Sequence, residues 1–393
     1  MSHAFPYRGL RVLDLGQGIA SPYCAMLLAL YGADVIKVEP PEGDWSRGLG
    51  DKVGPDGAGG GGHTAMSLAY NRGKRALRLD LRQAEAKAVL RGLALKADVL
   101  VEGFRPGVAA RLGVGYDSLA AENPKLIYLS VSGFGQSGPH SQRPVTDTAA
   151  QAFSGFMDIN RGPDEVPHRS GALASDVPTG LYAYAAIATA LFARQQTGTG
   201  RHIDISLMSG SAALLGHKLT EYEIAGGTPK PLNVPAGTFE AADGWIAIAL
   251  VNEGHYRRMC TALGRPDLAE DPRYTSFVTR AAHEAELLAE LRPLIRTRPH
   301  AEWIGQLRAA DIICDVVNNF GDWLADEHVR AVGAAIPAGP PGLHVQRTPG
   351  APAHSDDALA PAPLAGEHTR AVLAECGLAD AEIERLIAQG VAS

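Results

Sequence analysis

The chain has 393 residues, 46% hydrophobic and 20% charged, with a formal charge of −7 and a pI near 6.0. That is ample apolar material for more than one buried core, while the acidic balance excludes a general nucleic-acid binder, which needs a basic surplus to neutralise phosphates. The four cysteines (Cys24, Cys260, Cys314, Cys376) are scattered without C-x-x-C or Cys/His metal spacing, no run reaches the ~20 apolar residues of a membrane span, and "MSHAFPYRGL" has no signal-peptide layout, so a metal-free protein of the reducing cytoplasm is expected.

Residues 10–15 (LRVLDL), 34–39 (DVIKVE), 76–81 (ALRLDL), 98–104 (DVLVEGF) and 125–135 (KLIYLSVSGFG) read as strands, and 22–33 and 82–97 as helices between them. Such alternation predicts βαβ units and a mostly parallel sheet. The glycine-rich segment 54–66 interrupts the pattern as a flexible loop. A helix over 178–194 leads through "QQTGTGR" into a strand at 202–207, and another helix runs to about 225. The Pro- and Gly-rich stretch 226–239 reads as a linker. Beyond it, "GWIAIAL" and several amphipathic helices to about 330 suggest a second, smaller domain. The stretch 337–366 is again rich in Pro, Gly and Ala, and two helices close the chain. The expected division is 1–225, 226–330 and a returning segment 331–393.

"LDLGQGIASPY" comes close to a dinucleotide fingerprint, with Gly16 and Gly18 after a strand and Glu39 ending the next. Ser21 in place of the third glycine and Pro22 after it weaken an NAD reading. The corner still suits a phosphate or adenosine group. Lys74, Arg75, Arg78 and Arg82 cluster around the third strand; strand alternation separates their directions, and surface charge is the plain reading for any one of them. Arg105, in "EGFRPG", stands out because it follows the carboxyl end of a predicted parallel strand, where open α/β sheets bind ligands.

"GALASDVPTG" (171–180) places one acid, Asp176, ahead of Pro178 and a long apolar helix. Two readings stand side by side. Asp176 can cap the helix, accepting its first backbone N–H groups. Alternatively it is a nucleophile, with small neighbours admitting a substrate and the helix N-terminus favouring the ionised form.

The ordered blocks "GLRVLDLGQGIASPYCAMLLALYGADVIKVEPPEGD", "NRGKRALRLDL", "VEGFRPGVAARLGVGYDSL", "NPKLIYLSVSGFGQSGP" and "PAGTFEAADGWIAIA", with "ALGRPDLAEDPRY" and "LADEHVRAVG" later, resemble the class III CoA-transferase family, which also contains the α-methylacyl-CoA racemases. The resemblance covers about residues 8–390. It implies an α/β, Rossmann-like large domain built from both chain ends, a smaller α+β domain from the middle, and an interlocked homodimer. It also implies coenzyme A or acyl-CoA as substrate, rather than a permanently bound cofactor, with contacts at Ile19, Ala20, Leu79 to Arg82, Gly103, Phe104, Arg105, Arg111 and near Thr146. Gly103 departs from the pattern, since the family usually carries Asn there. The acid at the position of Asp176 is the family's nucleophile, and succinyl-CoA is a donor it suggests.

Two rivals remain within this resemblance. The racemases pair a His with the Asp, and here the pair is Thr146-Asp147, whose hydroxyl is no general base near neutral pH; Asp147 is expected to be a structural hydrogen-bonding residue. His140 and His168, nearby in sequence, read as solvated loop residues. A CoA-binding protein without catalysis is the other rival, and the presence of Asp176 argues against it.

Overall fold

The structure is a computed structural model, describing residues 5–54, 62–162, 164–227, 233–338, 343–350 and 361–393. Most of the glycine-rich loop (55–61), part of the expected linker (228–232) and much of the late Pro/Gly/Ala stretch (339–342 and 351–360) lie outside the described residues. The chain divides into two compact units, Met1–Gly216 with Gly333–Ser393, and His217–Val332.

Apolar β-branched runs in the first unit form β1 (Arg11–Leu15), β2 (Asp34–Glu39), β3 (Arg75–Arg78), β4 (Val99–Glu102), β5 (Ile127–Ser132) and β6 (Arg201–Ser206). They make one six-stranded sheet in the order β3-β2-β1-β4-β5-β6, parallel at every pairing. The strand order reverses between β1 and β4, where open α/β sheets leave a crevice at their carboxyl edge.

The principal helices of this unit are α1 (Ala20–Leu30), α2 (Ala65–Tyr70), α3 (Ala84–Leu95), α4 (Asp147–Phe153), α5 (Asp176–Thr197), α6 (Leu207–Leu214), α7 (Thr369–Glu375) and α8 (Asp380–Ala388). Both faces of the sheet are covered, which is why its strands are apolar on both sides. Leu13, Leu100 and Tyr128 pack with Leu90 of α3, Val372 of α7 and Leu386 of α8 on one face. Val12, Val99 and Leu129 pack with Cys24 of α1 and Ile187 of α5 on the other. The chain's last residues join the sheet region, with Asp80 N–H donating to Val391 O at 2.9 Å.

Helices α1 and α5 approach closely at Gly180, where a Cβ would stand 2.8 Å from Ala20 O and 3.0 Å from the Tyr23 ring. Only glycine permits that distance without a shift.

The second unit has an antiparallel sheet, in the order β7-β8-β9 (Gly237–Ala241, Gly244–Ala249, Ile313–Val316). Phe239, Ile246 and Ile248 pack there with Tyr256, Leu291 and Trp303 from its helices. Buried Arg280 pairs with Glu253 at 2.7 Å and donates to Val234 O and Tyr274 O, so its charge is paired within the unit.

Candidate active site

Helix α5 precedes β6, which pairs with β5 from Ile127↔Arg201 onward; the N-terminus of α5 therefore lies at the carboxyl edge of the sheet. Asp176 is its first residue, preceded by Ser175 without a side-chain cap bond. The capping reading of Asp176 is overturned, because the acid that takes the first amides is Asp147. Its Oδ1 accepts from Ser175 N–H at 2.8 Å and from Asp176 N–H at 3.0 Å. Val177 N–H goes to Leu173 O and Thr179 N–H to Ser175 O, and Pro178 has none. The first turn thus has no amide left for the Asp176 carboxylate, which accepts no hydrogen bond among the described residues.

The expectation that the helix terminus favours the ionised form is corrected for the same reason. Burial first, and the neighbouring Asp147 charge second, push the Asp176 carboxyl up to about 7. Both causes disfavour the charged form.

Asp147 opens α4 and is buried. Its Oδ2 accepts from Gln151 Nε2 at 2.5 Å, and Gln151 Oε1 accepts from Ser170 N–H at 2.9 Å. Gln151 therefore ties the 170–172 turn to the acid that holds Asp176. Sequence reasoning passed over Gln151, although the Asp-x-x-x-Gln spacing puts the two on one helix face. It also passed over Tyr70, the last residue of α2. The Tyr70 ring meets Tyr23 edge-on at 5.3 Å, and its hydroxyl is pushed up to about 12 by burial, then by Tyr23, Asp176 and Asp147.

The predicted CoA residues divide by what their side chains do. Ile19, Ala20 and Leu79 are buried, and the Leu79 N–H is taken by Glu39 O at 2.9 Å, so none of the three presents a side chain to a ligand. Phe104 and Arg82 line a crevice of about 260 Å³ with Leu15, Glu39, Asp80 and Leu112. Arg82 forks onto Asp80 at 2.7 and 3.1 Å. Arg105, Arg111 and Thr146 are exposed, and neither arginine has an ion pair among the described residues. Gly103 packs on Ser21: a Cβ there would lie 2.9 Å from Ser21 Oγ, and one at Gly16 would lie 2.3 Å from Ser21 Cβ. The serine that breaks the dinucleotide fingerprint occupies space left by two glycines at the topological switch.

Two members of the basic cluster around β3, Lys74 and Arg75, are committed to ion pairs within the fold. Lys74 is fully buried, bonding Asp14 Oδ2 at 2.8 Å, Pro22 O at 2.7 Å and Asn71 Oδ1 at 2.9 Å; burial outweighs its partner and lowers it to about 8. Arg75 pairs with Asp34 and Glu375. Buried Lys37 pairs with Asp44 at 2.8 Å and donates to Gly16 O at 2.7 Å, while Asp44 accepts from Gly18 N–H. These pairs clamp the loop after β1 from beneath. His168 lies 3.6 Å from Asp164, and His140 packs edge-on against Phe134 and Phe153.

The first unit is thus an open parallel α/β sheet whose carboxyl edge carries both a crevice at the switch point and, at the start of α5, an acid that accepts no hydrogen bond among the described residues. The model of "CoA-transferase family III" matches residues 7–369, and the chain belongs to that family. It is 36% identical over 343 residues to a succinate–glutarate CoA-transferase of Agrobacterium fabrum, covering 84% of each chain. It is 37% identical over 316 residues to an acetyl-CoA:oxalate CoA-transferase of Acetobacter aceti, covering 78% of this chain and 79% of that one. A crystal structure of a CAIB/BAIF family protein from Brucella suis superposes with a TM-score of 0.84 at 34% identity, over 95% of this chain and 100% of that one.

Proposed function

We propose that the protein is a CoA-transferase that moves CoA from an acyl-CoA to a carboxylic acid through covalent intermediates on Asp176. The observation that carries this reading is the state of that carboxylate. It accepts no hydrogen bond among the described residues, stands at the carboxyl edge of the sheet, and is pushed up to about 7 by burial and by Asp147, which favours a basic, poorly solvated carboxylate at neutral pH.

In the proposed sequence, an Asp176 oxygen attacks the donor thioester carbonyl, the C–S bond breaks, and a mixed anhydride and CoA thiolate result. The thiolate attacks the Asp176 carbonyl, releasing the donor acid and leaving an aspartyl-CoA thioester. The acceptor carboxylate attacks that thioester and expels the thiolate, which then takes the acceptor's acyl carbon and restores Asp176. Each bond exchanged resembles the one it replaces, so no outside energy source is required. The crevice lined by Phe104 and Arg82 is the proposed adenosine site, with Arg105 and Arg111 as phosphate partners. Short dicarboxylates, as in the names of the relatives, are the proposed acids, with succinyl-CoA as one donor.

The racemase reading finds no support in the site, where Thr146 is exposed and Asp147 is committed to backbone amides. A homodimer is also proposed. Leu181, Tyr182 and Phe192 of α5 are 44%, 50% and 65% exposed, an apolar display that a partner surface accounts for; sedimentation at micromolar concentration tests it.

The deciding experiment incubates the protein with succinyl-CoA and a panel of dicarboxylates, follows CoA exchange, and traps the intermediate with hydroxylamine. Mass spectrometry should place the adduct on Asp176. Exchange without any adduct there, or none with any acid, overturns the reading.

A further inference from the structure

Glu102 ends β4 and is only 4% exposed, an expensive place for a carboxylate unless its oxygens are engaged. They are engaged on both sides. Oε2 accepts the Phe104 N–H at 2.7 Å, bending the chain tightly through Gly103 into the loop that carries Phe104 and Arg105. Ser130 sits on the adjacent strand in register Glu102↔Ser130, and its hydroxyl favours the charged form of the acid. Ser130 Oγ in turn lies 2.9 Å from His202 Nε2. The hydroxyl thus stands between the acid and the imidazole.

His202 is held in place for that role. Its ring stacks on Tyr116 at 4.9 Å and meets Tyr128 edge-on at 5.3 Å. A line of polar groups thus runs from an exposed histidine on edge strand β6, through Ser130, to a buried acid and the amide of a crevice-lining residue. The catalytic sequence above uses none of these groups.

We propose that Glu102 is a positioning residue for the CoA-holding loop: its carboxylate, steadied by Ser130 and through it by His202, fixes the Phe104 amide and with it one wall of the adenosine crevice. The proposal rests on the CoA-transferase reading. An ionised acceptor holds an amide roughly twice as strongly as a neutral one, so the wall is firmest when Glu102 is charged. The groups facing this line are Asp204 on β6, which opposes ionisation of Glu102, Tyr128 on β5, and Asp117, which with Asp204 acts on His202. Burial, with Asp204 adding to it, pushes Glu102 up to about 7 against the Ser130 and Phe104 bonds. Affinity for CoA should therefore be full above neutral pH and fall as pH drops through it.

The test is calorimetric titration of CoA into the wild-type enzyme, Glu102→Gln and Ser130→Ala between pH 6 and 8.5, with steady-state kinetics alongside. Taking the ratio of variant to wild-type Kd at each pH cancels the ionisations of CoA itself. We expect Glu102→Gln to bind about 10-fold more weakly at pH 8, a charge-assisted bond's worth, with the gap closing toward pH 6 and with KM for acyl-CoA affected more than kcat. Ser130→Ala should show a smaller loss of the same sign, and it serves if Glu102→Gln does not fold. A constant ratio across pH, or unaltered Kd in the variant that folds, overturns the proposal while the wild type still binds CoA. A wild type that binds no CoA at any pH overturns the CoA-transferase reading and this proposal with it.

Discussion

Asp147 Oδ1 accepts the backbone N–H of Asp176 at 3.0 Å, so one acid holds the main chain of another and sets its charge at the same time. By occupying the first amides of α5, Asp147 denies Asp176 the stabilisation a helix terminus ordinarily offers an anion. By carrying its own charge nearby, it raises the cost of ionising Asp176 further.

Replacing Asp147 with Asn tests that relationship. Asn keeps an oxygen for Ser175 N–H and Asp176 N–H but removes the like charge, and Gln151 must turn its amide to meet the new NH₂. The acidic limb of the pH–rate profile, expected to follow the raised Asp176 carboxyl at about 7, should move down by roughly one pH unit. A limb that stays in place assigns it to another group.

Asp176→Asn should abolish exchange, by at least about 10³-fold, while making the protein more stable at alkaline pH. An acid whose folded value is raised binds its proton more tightly folded than unfolded, so stability declines as pH rises from about 4, the unfolded carboxyl range, to about 7. Asn is free of that penalty. Because Asp176 is not fully buried, a gain of about 1–2 kcal/mol at pH 8 is expected, vanishing at pH 4; urea unfolding at the two pH values measures it.

Lys74→Met leaves Asp14 buried without its cation and removes donors from Pro22 O and Asn71. A loss of about 3–5 kcal/mol is expected from stranding a buried charge. Equilibrium denaturation reads it, and the double variant Lys74→Met/Asp14→Leu should recover much of the loss.

Gly180→Ala pushes a methyl against Ala20 O and the Tyr23 ring. Prising α1 from α5 should cost about 1–3 kcal/mol. Since Tyr23 also touches Tyr70 beside the acids, kcat should fall as well, whereas Gly92→Ala, inside α3 with open space around it, should leave kcat unchanged and add about 0.5–1 kcal/mol of stability through helix propensity.

Asp176 is legible in the sequence because a lone acid among small residues before an apolar helix is a local pattern, and the ordered motif blocks give it a role. Its partners are not legible. The Asp147 contact spans 29 residues and the Gln151–Ser170 bond 19, and no periodicity reports which loop meets which helix start. Lys74 misleads for a related reason: in the sequence it looks like its neighbours Arg75 and Arg78, and only the arrival of Asp14 from β1 makes its burial tolerable. That Gly103 packs beside Ser21, with 2.9 Å from a Cβ to Ser21 Oγ, is likewise a tertiary contact across 82 residues that no local pattern reports.

What the sequence determined alone was the kind of layer: apolar runs of strand length alternating with helical periods dictate a parallel sheet covered on both faces, since each element must bury its own apolar side. Tertiary structure decided the order β3-β2-β1-β4-β5-β6, the placing of Asp176 at its carboxyl edge, and the charge state of that acid. Those depend on desolvation and on charges brought in from distant segments, and such terms exist only once the chain has closed around them.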